Sequence, residues 1–106
     1  MRVLLDECVP LQLRNALTGH DTTTAQQMGW RGLGNGDLLD AAERSGFQVF
    51  IIADKNLRYQ QNLTGRKIAI LELWINHRPT LEEHFDYIRI AVEGLSSGAY
   101  LVLEKP

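Results

Sequence analysis

Apolar residues in this chain come in short runs, separated by polar stretches that repeat at helical spacing. Residues 3–5, Val3-Leu4-Leu5, end abruptly in Asp6-Glu7, the pattern of a buried strand with two acids at its carboxyl end. Pro10 suits the first turn of a helix, and Val9, Leu13 and Leu17 recur every fourth residue, so a short helix is predicted to stop at Gly19. The Thr-rich residues 20–25 read as a second strand near a sheet edge. Residues 29–36 hold four glycines in eight positions, which predicts a loop with unusual dihedrals or close backbone approach. Asn35 is placed to cap the next helix, whose apolar face is Leu38, Leu39 and Ala42 and whose end is Ser45-Gly46.

Residues 47–53 form the strongest strand pattern: six of the seven are apolar, as in a strand covered on both faces, and Asp54 follows. Residues 55–63 are polar. Residues 68–73 are another buried strand. Thr80-Leu81-Glu82-Glu83 fits a capping box, and Leu81, Phe85, Ile88, Val92 and Leu95 continue as one helix. Residues 99–103 supply a last strand. Strands and helices thus alternate along the chain, which predicts a single α/β domain over residues 1–106. Its parallel or mostly parallel sheet of about five strands should carry helices on both faces and right-handed crossovers.

Composition narrows the function. The chain has 106 residues, enough for one domain, and a net charge of −2, which argues against a general electrostatic grip on nucleic acid. Its one cysteine, Cys8, has no partner for an internal disulfide, no signal-peptide core develops before Asp6, and no apolar run approaches the ~20 residues that span a bilayer. A cytoplasmic protein without membrane contact is expected.

The candidate chemistry lies in the acids. Open α/β sheets bind ligands beyond the carboxyl ends of their strands, where strand order reverses. If the strands at residues 3–5 and 47–53 are neighbours, Asp6 and Asp54 meet there, and Asp37, in the first turn of the helix after the glycine loop, reaches the same end. Carboxylates so crowded repel one another unless a hard cation neutralises them. Mg²⁺ or Mn²⁺ is favoured over Zn²⁺, because Cys8, His20, His77 and His84 lack ligand spacing. A carboxylate-bound divalent ion suits phosphodiester hydrolysis.

The residues at these positions resemble a known family. Val3-Leu4-Leu5-Asp6-Glu7, Gly34-Asn35-Gly36-Asp37-Leu38-Leu39 and Ile51-Ile52-Ala53-Asp54-Lys55-Asn56-Leu57 look like the PIN-domain nucleases, specifically the small PIN-like group of bacterial toxin–antitoxin systems related to VapC toxins. The likeness covers residues 1–103 in order and spacing, and residues 56–63 look like a signature of one branch. The resemblance implies a three-layer α/β/α sandwich, Mg²⁺- or Mn²⁺-dependent RNA hydrolysis, and Asp6, Asp37 and Asp54 as metal-binding catalytic acids. Glu7, Asn35 and Asn56 would support them, and an antitoxin encoded by an adjacent gene would restrain the enzyme. Asn35 and Asn56 stand where many relatives carry Asp, and Ile52 stands where they often carry Thr, which weakens the oxygen-ligand set.

Other residues carry plainer readings beside functional ones. Lys55, Arg58, Tyr59, Gln60 and Asn62 offer charge, amides and an aromatic face to RNA, or make a loop packed by Tyr59. Lys55, Arg58, Arg66 and Lys67 are the densest basic segment and suggest a phosphate groove, against a simple solvated surface. Trp30 either stacks on substrate or anchors the glycine loop. Cys8 reads as a small buried hydrophobe whose thiol pKa the adjacent acids raise. Trp74, Tyr87 and Tyr100 exceed what a small core needs, which suggests a homodimer. Two rival functions remain: a phosphoacceptor receiver-like domain, with Asp6-Glu7 and Asp54 as its acids, and a non-catalytic module that keeps the fold without the metal.

Overall fold

A computed structural model of the chain describes residues 1–53, 63 and 65–106. Among them, five strands form one sheet: β1 (Arg2–Leu5), β2 (Asp21–Thr24), β3 (Val49–Ile52), β4 (Ala69–Glu72) and β5 (Tyr100–Val102). The spatial order is β2-β1-β3-β4-β5, and every neighbouring pair is parallel. Strand order reverses between β1 and β3, which are hydrogen-bonded neighbours with Leu5 opposite Ile51. The two strands expected to present acids together are therefore adjacent at the switch point of the sheet. The Thr-rich strand β2 is at one edge, as its polar composition predicts.

The period of two along each strand divides the core. Val3, Leu5, Val49, Ile51, Ala69 and Leu71 face one side, where Leu13 and Leu17 meet Leu81, Ile88 and Val92. Leu4, Phe50, Ile52 and Ile70 face the other, under Leu38, Leu39 and Ala42 of α1 (Asn35–Arg44). β3 and β4 are buried at every position, as unbroken apolar runs require.

Several local expectations are corrected. The segment after Pro10 is a 3₁₀ helix, Leu11–Ala16, with Pro10 at its N-cap rather than within its first turn. Six residues suffice because Leu13, Ala16 and Leu17 already reach the core. Gly34, not Asn35, is the N-cap of α1, and Asn35 is its first residue. The capping box at Thr80 does not form. α2 (Arg78–Glu82) starts two residues earlier, with Pro79 in its first turn, where the ring's fixed φ favours initiation. Thr80 instead meets His77 Nδ1 at 2.9 Å through its hydroxyl. At His84 (φ −126°, ψ 28°) the chain leaves helical geometry before α3 (Phe85–Glu93), so the single long helix is two.

The crossovers also differ from expectation. The β1–β2 connection crosses one face through the 3₁₀ helix, and the β2–β3 connection crosses the other through α1 in the opposite direction, so these two share a hand. The β4–β5 connection lies on the first face but moves in the second direction, and so has the reverse hand. α2 and α3 take that face because the 3₁₀ helix is too short to cover it and packs directly against both.

The aromatic surplus has partners within the chain. Trp74 makes edge-to-face contacts with Tyr87 and His84, the Tyr87 hydroxyl donates to the Glu104 carbonyl, and the Tyr100 hydroxyl donates to Glu72 at 2.7 Å. These rings therefore do not themselves require a second copy of the chain. No helix among the described residues is long and apolar enough to cross a membrane.

Candidate functional site

β1 ends at Leu5, and the next residue turns away from the sheet: the Asp6 amide donates to the Ile51 carbonyl of β3 at 3.0 Å, while the Asp6 carbonyl accepts from Val9. This fixes Asp6 at the carboxyl end of the central strand pair. β2 leaves the sheet through a reciprocal turn, in which the Gln27 amide donates to Thr24 Oγ1 and the Thr24 amide donates to Gln27 Oε1. The Trp30 amide then returns to the Ala25 carbonyl. Gly29 (φ 76°) and Gly32 (φ 87°) make the two bends around Trp30 that side-chain-bearing residues rarely adopt. The loop delivers the chain to the amino end of α1 beside Asp6.

These pieces enclose a cleft of about 340 Å³. Its lining mixes polar residues, Asp6, Glu7, Cys8, Asn35 and Asn76, with apolar ones that include Trp30, Leu33 and Leu38. The amino end of α1, with its partial positive charge, opens there as expected. Asp37, however, is exposed on that first turn and is not among the residues lining the cleft; Asn35 and Leu38 are. Glu7 is exposed at the rim. Ala53, the residue before Asp54 in the chain, also lines the cleft. Asp54, Lys55, Asn56, Arg58, Tyr59, Gln60 and Asn62 lie outside the described residues.

Cys8 is exposed rather than buried, which corrects its reading as a core residue. Its thiol donates to Asp6 Oδ2 at 3.0 Å. Partial burial of the sulfur pushes the thiol up to about 11, and the Asp6 hydrogen bond and charge act in the same direction. A thiol so held is a hydrogen-bond donor to the carboxylate and a poor nucleophile at neutral pH.

The cleft's donors are hard: two carboxylates, Asp6 and Glu7, and two amides, Asn35 and Asn76. Such oxygen ligands suit Mg²⁺ or Mn²⁺. Among the described residues, no three His, Cys, Asp or Glu side chains group to hold a metal. Ile52, only 1% exposed in the core beneath α1, offers no oxygen where a Thr hydroxyl would. The histidines are engaged elsewhere, His20 with Glu93 and the N-terminal amine, His77 with Thr80, and His84 against Trp74.

Of the expected basic groove, Lys55 and Arg58 lie outside the described residues, and Arg66 and Lys67 do not line this cleft. Between β3 and β4 the chain must return to the amino end of the sheet, which carries Lys67 to a separate cavity bordered by Val49, Ala69 and Met1. Arg66 is paired with Asp40 (2.8 Å) and Glu43 (3.2 Å) of α1.

Two residues escaped sequence reasoning. Asn76 reaches the cleft from the segment after β4, and no local pattern marks it. Glu72, 1% exposed at the end of β4, sits inside an apolar run whose only sequence signal is its charge, with Tyr100 of the neighbouring strand as hydrogen-bond donor. Compared with protein-family models, with curated proteins and with solved structures, the chain has no match.

Proposed function

We propose that the cleft is the active centre of a Mg²⁺- or Mn²⁺-dependent endoribonuclease with a PIN-like three-layer α/β/α fold. In this reading it acts in the cytoplasm as the toxin of a bacterial toxin–antitoxin pair. One observation carries the reading: Asp6 stands at the switch point of the sheet, bonded to β3, in a cleft bordered by the residue that precedes Asp54. An acid at this point of a parallel sheet is placed for ligand chemistry. The oxygen donors of this cleft suit an inner-sphere divalent ion.

Asp6, with Asp54, would hold the ion; Asp37, exposed and outside the cleft lining, would have to move to join them. When bound, the ion supplies Lewis-acid activation of water and of the phosphodiester. The chain's own groups do the rest. The Cys8 thiol donates to Asp6 Oδ2 and so restrains the carboxylate's rotation. The amino end of α1 favours phosphate oxygens. Ala25, Leu38 and Ala53 form an apolar wall that limits water to the reacting face. The reaction consumes one water and breaks one P–O bond, leaving a phosphate monoester and a free hydroxyl. An antitoxin covering the cleft would place an Arg or Lys on the carboxylates in place of the metal.

Incubation with single-stranded RNA in Mn²⁺ or Mg²⁺ tests this reading. The parent should cleave, and Asp6→Asn and Asp54→Asn should not; a folded parent that cuts no RNA at any metal concentration refutes it. A second reading has its own support, because the strand order 2-1-3-4-5 is shared by phosphoacceptor receiver domains. Against it, β4 is followed by Leu73, Trp74, Ile75 and Asn76 without a hydroxyl. A labile phosphoryl adduct on Asp54 after acetyl phosphate treatment would decide for the receiver.

A further inference from the structure

One aromatic ring lines the cleft that holds the acids. Trp30 is half-buried, held by its backbone bond to Ala25 and flanked by the two positive-φ glycines. It meets Phe47 edge-to-face, at 5.9 Å between centroids and 76° between planes. The ring also packs against the buried cluster beneath α1, yet it stays only partly buried. Trp30 also lines the cleft, beside Leu33, which is 42% exposed, and in the same cavity as Asp6. Anchoring explains the Phe47 contact but leaves unexplained why an indole and an exposed leucine form the wall of a carboxylate-bearing cleft.

We propose that Trp30 is a specificity-determining residue: its indole stacks against one unpaired nucleobase of an RNA strand whose phosphodiester lies at Asp6. The proposal rests on the nuclease reading and adds to it the residue that selects unpaired RNA. A nucleotide joins a planar, apolar-faced base to an anionic phosphate, and this cleft holds an indole together with the carboxylates of Asp6 and Glu7, which on the nuclease reading would carry the ion that meets the phosphate. Bases in a duplex keep their faces stacked on each other, so only an unpaired base can offer a face to the indole. Any base has such a face, so stacking selects strandedness rather than sequence.

Fluorescence isolates the ring, because the chain has two tryptophans and Trp74 lies among Tyr87 and His84 rather than in the cleft. In the Trp74→Phe variant with Ca²⁺, a single-stranded oligoadenylate should quench Trp30 emission. The same strand annealed to its complement, or made abasic, should not. In cleavage assays with Mn²⁺, Trp30→Ala should raise KM about tenfold with kcat unchanged, equivalent to ~1.4 kcal/mol of stacking. Trp30→Phe, which keeps a ring and the packing on Phe47, should retain most of the affinity and keeps the test decisive if Trp30→Ala does not fold. Cleavage with Trp30 emission unchanged, or a parental KM in Trp30→Ala, overturns the proposal and leaves the nuclease reading standing. Quenching by the single strand alone without cleavage supports the stacking site and overturns the nuclease reading. Neither quenching nor cleavage overturns both.

Discussion

The hydrogen bond from Cys8 to Asp6 makes the site's geometry measurable through a single thiol. Raising that thiol from 9.0 to about 11 reduces the thiolate present at pH 8 by about a hundredfold. The more basic thiolate is the better nucleophile, and a Brønsted slope of about 0.45 returns roughly eightfold of that loss. The net effect is a reaction with a small aromatic disulfide about tenfold slower than that of an ordinary exposed cysteine at the same pH. Cys8 is exposed as a residue, so the reagent reaches it, and the pH dependence of the rate separates a raised pKa from shielding of the sulfur.

Asp6→Asn removes the charge and weakens the hydrogen bond but leaves the partial burial, which is the largest contribution. The thiol should move part of the way back toward 9.0, and the rate at pH 8 should rise severalfold. The assay is the release of the reagent's thiolate followed from pH 7 to 11 in both proteins. Denatured protein supplies the unperturbed rate, and the sole cysteine makes the signal unambiguous. Parent and variant with the same rate and the same pH midpoint would refute the Asp6–Cys8 contact and, with it, the orientation of the Asp6 carboxylate. The sign for stability follows from the same shift. A group raised in the folded state contributes fully below its unfolded pKa of 9.0, and that contribution is lost as pH climbs through about 11.

Tyr100→Phe deprives the buried Glu72 carboxylate of a charged hydrogen bond and should cost ~1.5–3 kcal/mol, read as a lower Tm; a loss below ~0.5 kcal/mol would deny the contact its role. Mn²⁺ at a hundredfold excess over its Kd should stabilise the parent by ~2.7 kcal/mol in thermal melts, and Asp6→Asn should lose most of that gain. Arg66→Ala should change stability by under ~1 kcal/mol, because its partly exposed ion pairs with Asp40 and Glu43 are offset by a buried Nε that has no hydrogen-bond partner among the described residues. The same variant should leave RNA cleavage at its parental rate, since Arg66 faces α1 rather than the cleft; a large drop would return it to the substrate groove.

The short apolar runs and their period of two were enough to read five strands, a parallel sheet and the placement of Asp6 beyond β1. These features depend on which face each residue must bury, and that is written in nearest-neighbour order. The polar strand β2 was legible as an edge for the same reason. What local order could not decide was whatever depends on residues far apart in the chain. A 3₁₀ helix replaced an α-helix because its length was set by the depth of the core it meets. α2 and α3 took the same face as that helix, reversing the hand of the last crossover, because the face would otherwise stay wet. Cys8 became a donor to Asp6 only when the turn after β1 brought them together. Glu72 became tolerable only when β5 laid Tyr100 beside it. Arg66, in a basic run that reads as a phosphate groove, was claimed by Asp40 and Glu43 of α1, residues more than twenty positions away in the chain.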